Sequence, residues 1–131
     1  MEKIKLRFSE ILEKIKKIDF GEIDLVVGIA RGGIVPGALI ANLLQKDFQI
    51  LWLNFRDDDN IPKYAKPQLL KKINFEFRNK KILVVDDVSR SGATLNQAKA
   101  VLKTDAKTFV VNGTADFSLY NYKQCLEWPW N

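Results

Sequence analysis

Two short runs of apolar, largely β-branched residues constrain this chain more than any other feature: Asp24-Leu-Val-Val-Gly-Ile29 and Lys81-Ile-Leu-Val-Val85. Neither alternates with polar residues, so each reads as a strand covered on both faces, the condition of a parallel sheet sandwiched by helices. Each run leads into a glycine-containing turn and then a helical pattern. Arg31-Gly-Gly33 precedes residues 34–45, where Pro36 is tolerable because it falls in the first turn. The turn around Gly92 precedes Leu95, Ala98 and Leu102 at helical spacing, which predicts a helix over residues 92–102. Strand, glycine turn and helix form half of a βαβ unit. The expected class is therefore α/β, a mainly parallel sheet of about five strands flanked by helices.

The other segments fit around that frame. Ile11, Leu12, Ile15 and Ile18 recur at helical spacing, with Ser9 placed to cap the first turn. Residues 48–53 and 108–111 read as further strands, residues 73–77 alternate, and Arg78-Asn79 makes a turn. Residues 54–67, with clustered Asp, two Pro and scattered Lys, have the composition of a surface loop. Residues 112–131 are aromatic-rich and read as irregular, a small C-terminal hood. No repeat or linker divides the 131 residues. That length suits a single domain over residues 1–131, able to bury about two thirds of its unfolded surface.

Composition narrows the chemistry. With no histidine and one cysteine, Cys125, the chain has no Ser/His/Asp or Cys/His nucleophilic machinery, no zinc knuckle and no internal disulfide. Any metal must be held by oxygen. The net charge of +5 (21 Lys and Arg less 16 Asp and Glu) fits an anionic ligand, and equally a solvated surface of lysines. No stacking platform or reading helix for nucleic acid is visible, so no nucleic-acid partner is expected. The longest apolar run, residues 25–30, is far short of the roughly 20 residues of a membrane span. Charges interrupt the apolar residues of the N-terminal stretch, which lacks a signal-peptide core. These features predict a cytoplasmic protein without a membrane partner.

The most informative stretch is Ile82-Leu-Val-Val-Asp-Asp-Val-Ser-Arg-Ser-Gly-Ala-Thr94. A buried strand ends in two carboxylates, and a turn of small hydroxyl residues and one glycine opens a helix. The carboxyl ends of strands face the ligand crevice in an open α/β sheet, which puts Asp86 and Asp87 at the mouth of a pocket. The turn offers successive backbone N–H groups at a helix N-terminus, a setting that favours a phosphate. The two carboxylates would repel that phosphate unless they faced a sugar diol or a divalent cation. A phosphorylated sugar with a metal meets both conditions. Neither a Walker loop nor G-x-G-x-x-G is present.

This stretch resembles the 5-phosphoribosyl-1-pyrophosphate (PRPP) motif of the type I phosphoribosyltransferases. A second block, Val27-Gly-Ile-Ala-Arg-Gly-Gly-Ile-Val-Pro-Gly-Ala-Leu-Ile-Ala41, is similar to the pyrophosphate loop and following helix of the bacterial xanthine-guanine members. Asp57-Asp-Asp-Asn60 and the ending Glu127-Trp-Pro-Trp-Asn131 extend the similarity, in order, along nearly the whole chain. The resemblance implies a Mg²⁺-dependent enzyme that phosphoribosylates a nitrogenous base of purine type, as in purine salvage, and releases pyrophosphate. It also implies a homodimer or homotetramer. It assigns Asp86 and Asp87 to the ribose hydroxyls and the metal, and Arg31 and Gly32 to pyrophosphate across a non-proline cis peptide. Ser89, Arg90, Ser91, Gly92, Ala93 and Thr94 fall to the 5′-phosphate. Residues 56–72 match a flexible loop, whose Lys63, Lys66, Lys71 and Lys72 would meet pyrophosphate charge.

The departures lie where the acceptor base is chosen. The oxopurine enzymes carry an Asp in the phosphate loop, where this chain has Arg90, and a Lys after the last core strand, where it has Asn112. The base-stacking aromatic aligns with Cys125, next to Leu126. Arg90 is open to three readings: a 5′-phosphate contact, a contact to an acidic acceptor, or a solvent-facing side chain. Asp57, Asp58 and Asp59 read as a solvated loop tip, or as residues with a second-metal or loop-closing role. Trp128 and Trp130 read as packing or an oligomer contact rather than base stacking. The rival to a transferase is a non-catalytic regulatory module that binds PRPP or a nucleotide without turnover.

Overall fold

The structure, a computed structural model, describes residues 3–54 and 68–131; residues 57–60, Lys63 and Lys66 lie outside the described residues. A six-stranded sheet forms the centre. Its order is β4 (Gln68–Leu69), β3 (Asp47–Asn54), β2 (Leu25–Ala30), β5 (Ile82–Ser89), β6 (Lys107–Gly113), β7 (Phe117–Tyr120). All neighbours run parallel except β4, which pairs antiparallel with the end of β3. A separate parallel pair joins β1 (Ile4–Lys5) to β8 (Leu126–Glu127).

Side-chain alternation divides the sheet between two cores, which explains the unbroken apolar runs. Val26, Leu83, Val85, Phe109 and Val111 face one side, where they pack with Ile11 and Ile15 of α1 (Phe8–Lys16) and Ile40 and Ala41 of α2 (Ile34–Leu44). Leu25, Val27, Ile29, Ile82, Val84 and Val110 face the other, against Leu95, Ala98 and Leu102 of α3 (Ala93–Leu102). A strand with helices on both faces has no solvent side to mark with polar residues. The α/β expectation is met.

Four local expectations are corrected. Ser9 lies inside α1, not at its cap: the helix starts two residues earlier, capped at Arg7, whose carbonyl accepts from Ile11 N–H at 3.1 Å. Residues 73–77 form no strand; Ile73, Phe75 and Phe77 instead cover the α3-side core. β5 does not stop at Val85 but continues through both carboxylates to Ser89, paired with β6 as far as Gly113. The region read as an irregular hood contributes β7 to the main sheet and β8 to the small one. Only residues 114–116 separate β6 from its parallel neighbour β7. The return is held by Asp116, whose carboxylate accepts from Thr108 N–H at 2.9 Å and Thr108 Oγ1 at 3.1 Å.

Candidate functional site

β2 leads through α2 to β3 on one side, and β5 through α3 to β6 on the other. Adjacent strand ends whose chains depart in opposite directions leave a crevice at their carboxyl ends. A cleft of about 1000 Å³ opens there. It gathers residues that the sequence singled out from four separate segments: Arg31 and Gly32; Asp86 and Asp87 with residues 89–94; Asn112; and Cys125 with Leu126.

Asp86 and Asp87 form the floor. Because β5 runs on through them, alternation sends their side chains to opposite faces. Asp86 follows Ile82 and Val84 toward α3. Asp87 follows Leu83 and Val85 toward α2, where its carboxylate abuts Gly32 so closely that a Cβ there would overlap it. Asp87 N–H donates to Asp86 Oδ1 at 2.8 Å, and Val88 N–H donates to Asp87 Oδ1 at 2.8 Å. Burial pushes the Asp86 carboxyl well above the usual carboxylate range, and the Asp87 charge beside it pushes in the same direction.

That shift has a measurable consequence. A carboxyl whose folded-state pKa is raised binds its proton more tightly folded than unfolded. Stability is therefore greatest below the unfolded value of about 3.9 and declines as pH rises toward the folded value. Asp86→Asn keeps an oxygen for the Asp87 N–H and removes the penalty. In metal-free buffer at pH 7 the variant is expected to melt about 4 °C above the parent, on the order of 1 kcal/mol for a domain of this size. The two curves should converge near pH 4; a variant less stable than the parent at pH 7 would refute the burial penalty.

Three further segments close the cleft. Arg31 and Gly32 stand at the C-terminal end of β2, and the non-proline cis bond lies one peptide earlier than expected, between Ala30 and Arg31. Residues 89–94 lead into α3. Gly92 takes the cap position with φ +81° and offers no side-chain cap, while Ser91 Oγ accepts from Ala93 N–H at 3.2 Å. At the third side, Asn112 is completely buried and both ends of its carboxamide engage the Tyr122 main chain. Its Nδ2 donates to Tyr122 O at 3.1 Å, and Tyr122 N–H donates to its Oδ1 at 2.7 Å. Arg90 Nη2 reaches the same carbonyl at 3.4 Å. Asn112 is thus fully engaged by the main chain, whereas Arg90 is exposed along the cleft with its other guanidinium donors available.

The sequence reading missed several wall residues. Trp52, in register with Ala30, lines the cleft and carries Lys71 Nζ 4.0 Å from its ring centroid. A bulky aromatic near the carboxyl end of a parallel strand is a readable signal, because such ends face the crevice. Lys3 also lines the cleft, brought there by the β1–β8 pairing, as do Gln124 and Trp128. A two-residue strand leaves no pattern to read. Trp128 stacks on Trp130 at 5.3 Å, so it both packs and faces the cleft.

The donor set suits a hard cation. Among the described residues no group of three or more His, Cys, Asp or Glu comes together. The two adjacent carboxylates would leave most coordination positions to water and ligand oxygens, which is how Mg²⁺ is usually held. Among the described residues no helix is long and apolar enough to cross a membrane.

Comparisons with known proteins agree with this geometry. Residues 2–108 match the family described as phosphoribosyl transferase domain. An orotate phosphoribosyltransferase of Sulfurisphaera tokodaii is 27% identical over 104 residues, covering 79% of this chain and 47% of that protein. The transcriptional regulator GfcR of Methanococcoides burtonii is 32% identical over 94 residues, covering 71% and 44%. The chain thus spans about half the length of the curated relatives it matches. The crystal structure of a purine phosphoribosyltransferase from Pyrococcus horikoshii superposes with a TM-score of 0.82 at 21% identity, covering 100% of this chain and 95% of that one.

Proposed function

This chain belongs to the phosphoribosyl transferase domain family, and from that premise we propose that it transfers a phosphoribosyl group from PRPP to a nitrogenous base. The observation that carries the proposal is the convergence, in one cleft, of an acidic pair, an arginine beside a glycine turn, and an uncapped helix N-terminus. In the reaction a base nitrogen attacks the anomeric carbon, the bond from that carbon to the pyrophosphate oxygen breaks, and its electron pair leaves with pyrophosphate. Any proton on the attacking nitrogen passes to solvent.

Each part of the cleft has a task. Residues 89–94 bind the 5′-phosphate at the start of α3, where unsatisfied N–H groups and the helix dipole favour an anion. Asp87 and Asp86 would hold the ribose hydroxyls and Mg²⁺. When bound, Mg²⁺ neutralises pyrophosphate charge and so improves it as a leaving group. Arg31 and the amide of Gly32 take up negative charge on the departing pyrophosphate, and Lys71, over the ring of the cleft-lining Trp52, adds positive charge nearby. Positioning and electrostatics of this kind suffice for a displacement that needs no protein base.

The acceptor is of purine type by family likeness, but not an ordinary oxopurine. The two groups expected to read one are replaced by Arg90, which brings the opposite charge, and by Asn112, whose carboxamide is held by the Tyr122 main chain. Losing matched polar contacts in a closed pocket costs about 10⁴ in discrimination. The deciding experiment measures pyrophosphate release from Mg²⁺-PRPP with a panel of purines and pyrimidines. Release with at least one base supports the reading, with guanine and xanthine poor. Guanine turnover at about 1 s⁻¹ or faster would overturn the specificity assignment. A second reading, a PRPP-binding regulatory module, is favoured by the identity to a transcriptional regulator; PRPP binding without release for any base would select it. Cytoplasmic location and a homodimer or homotetramer are part of the same proposal, and sedimentation tests the latter.

A further inference from the structure

We propose that Asn112 is a positioning residue for acceptor specificity: its carboxamide clamps the Tyr122 main chain and thereby fixes the wall of the cleft that meets the base. The inference rests on the phosphoribosyl-transfer reading and adds to it the device that holds the acceptor side in place.

Asn112 stands at the carboxyl end of β6, beside Val88 of β5, and it is completely buried although it borders the cleft. Its amide can donate and accept at once in a fixed geometry. Tyr122 uses both functions, with its carbonyl taking the Nδ2 proton and its N–H meeting Oδ1. The side chain thus acts as one more rung of a sheet where no strand pairs. Residues downstream of that rung, Gln124, Leu126 and Trp128, form the cleft wall. Their other backbone anchor is the two-residue pairing of β8 with β1. The clamp and that pairing flank Gln124, with Leu126 inside the pairing and Trp128 just beyond it, so loss of the clamp frees the stretch between Tyr120, the last residue paired in β7, and β8.

Aspartate is the discriminating substitution because it has the same shape and only half the function. Burial as complete as that of Asn112 favours the neutral carboxyl, which can still donate to Tyr122 O, so the variant is compared with the parent at about pH 9, where an ionised carboxylate still accepts from Tyr122 N–H but turns lone pairs toward Tyr122 O. Asn112→Leu, of similar size, removes both bonds and serves as the second variant. The probes are ribose 5-phosphate, which reports the phosphate loop alone, and 5′-monophosphates of adenosine, guanosine, inosine, xanthosine, uridine and orotidine, titrated calorimetrically against the full chain. Hydrogen exchange at the Tyr122 amide is followed by NMR.

In Asn112→Asp at about pH 9, every nucleotide that binds the parent more tightly than ribose 5-phosphate should lose about tenfold in affinity relative to the parent at the same pH. Ribose 5-phosphate should stay within about twofold, and Tyr122 exchange should be unchanged or modestly faster. In Asn112→Leu both the loss and the exchange should increase. Unchanged nucleotide affinity in both variants overturns the proposal. So does a loss confined to nucleotides with one pattern of exocyclic groups, which would make Asn112 a direct reader of the base. Equal loss for ribose 5-phosphate and nucleotides would reveal a general structural role and overturn it too. If the parent binds neither PRPP nor ribose 5-phosphate, the underlying transferase reading fails and the inference falls with it.

Discussion

Gly113→Ala is expected to remove a large share of the chain's stability. Gly113 ends β6 opposite Ser89, the last residue of β5, with φ +118°, a backbone state that side-chain-bearing residues scarcely enter. A Cβ there would overlap the Ser89 carbonyl oxygen and come within 2.8 Å of its carbon and 3.0 Å of its nitrogen. All three are main-chain atoms in a paired strand, so no side chain can rotate away. Relief requires pulling β5 from β6 and breaking the Thr114 N–H bond to Ser89 O at 3.0 Å. Overpacking typically costs 1 to 3 kcal/mol and the backbone state a further 1 to 3, together roughly 4 kcal/mol of a total stability of about 5 to 15. Urea unfolding checks it, and a loss below about 1 kcal/mol would refute the steric argument. Gly92→Ala is the control. It also has positive φ, but its nearest neighbour would be Asn96 Nδ2 at 3.7 Å, which leaves only the backbone cost of about 1 to 2 kcal/mol.

What could be read from the sequence follows from which interactions are local. The runs at residues 24–29 and 81–85 announce strands because burial on both faces leaves a compositional trace in consecutive residues. The glycine turns announce strand-to-helix junctions for the same reason. Arg31, Gly32, Asp86, Asp87 and residues 89–94 were legible because each segment is short and its chemistry lies within it. β7 was not. Parallel neighbours ordinarily need a crossover of a dozen or more residues, so a partner reached through residues 114–116 violates the expectation that sequence reading relies on. What permits it is the Thr108–Asp116 bonding, a long-range pairing of two unremarkable polar residues. The β1–β8 pair, and with it Lys3 at the cleft, was hidden likewise: two residues carry no period. Asn112 was visible as a departure from the oxopurine enzymes, but its engagement by Tyr122 depends on how the chain returns after β7.

Gly32→Ala should separate function from stability, the reverse of Gly113→Ala. An alanine Cβ at position 32 would overlap the Asp87 carboxyl group. The obstructing atoms are the end of a side chain at the edge of an open cleft, so Asp87 can yield by rotating, and the fold need not change. Asp87 lies on the α2 face of β5, next to the turn that carries Arg31, so the displacement moves a carboxylate at the place where ribose, cation and pyrophosphate are proposed to meet. A misplacement of about 1 Å in such a site costs on the order of 10² in rate. Gly32→Ala is therefore expected to lower kcat/KM for PRPP by about 10², equivalent to about 2.7 kcal/mol. Its urea midpoint should correspond to a stability change within about 0.5 kcal/mol, the usual range for substitutions away from the packed core. Asp87→Asn in the same background gives the decisive comparison. If the alanine acts by displacing the carboxylate, the double variant should be little worse than either single one, since effects of residues that work as a unit do not add. Full additivity of the two losses would mean that Gly32 serves through its own amide alone, and the contact with Asp87 would then have no part in catalysis.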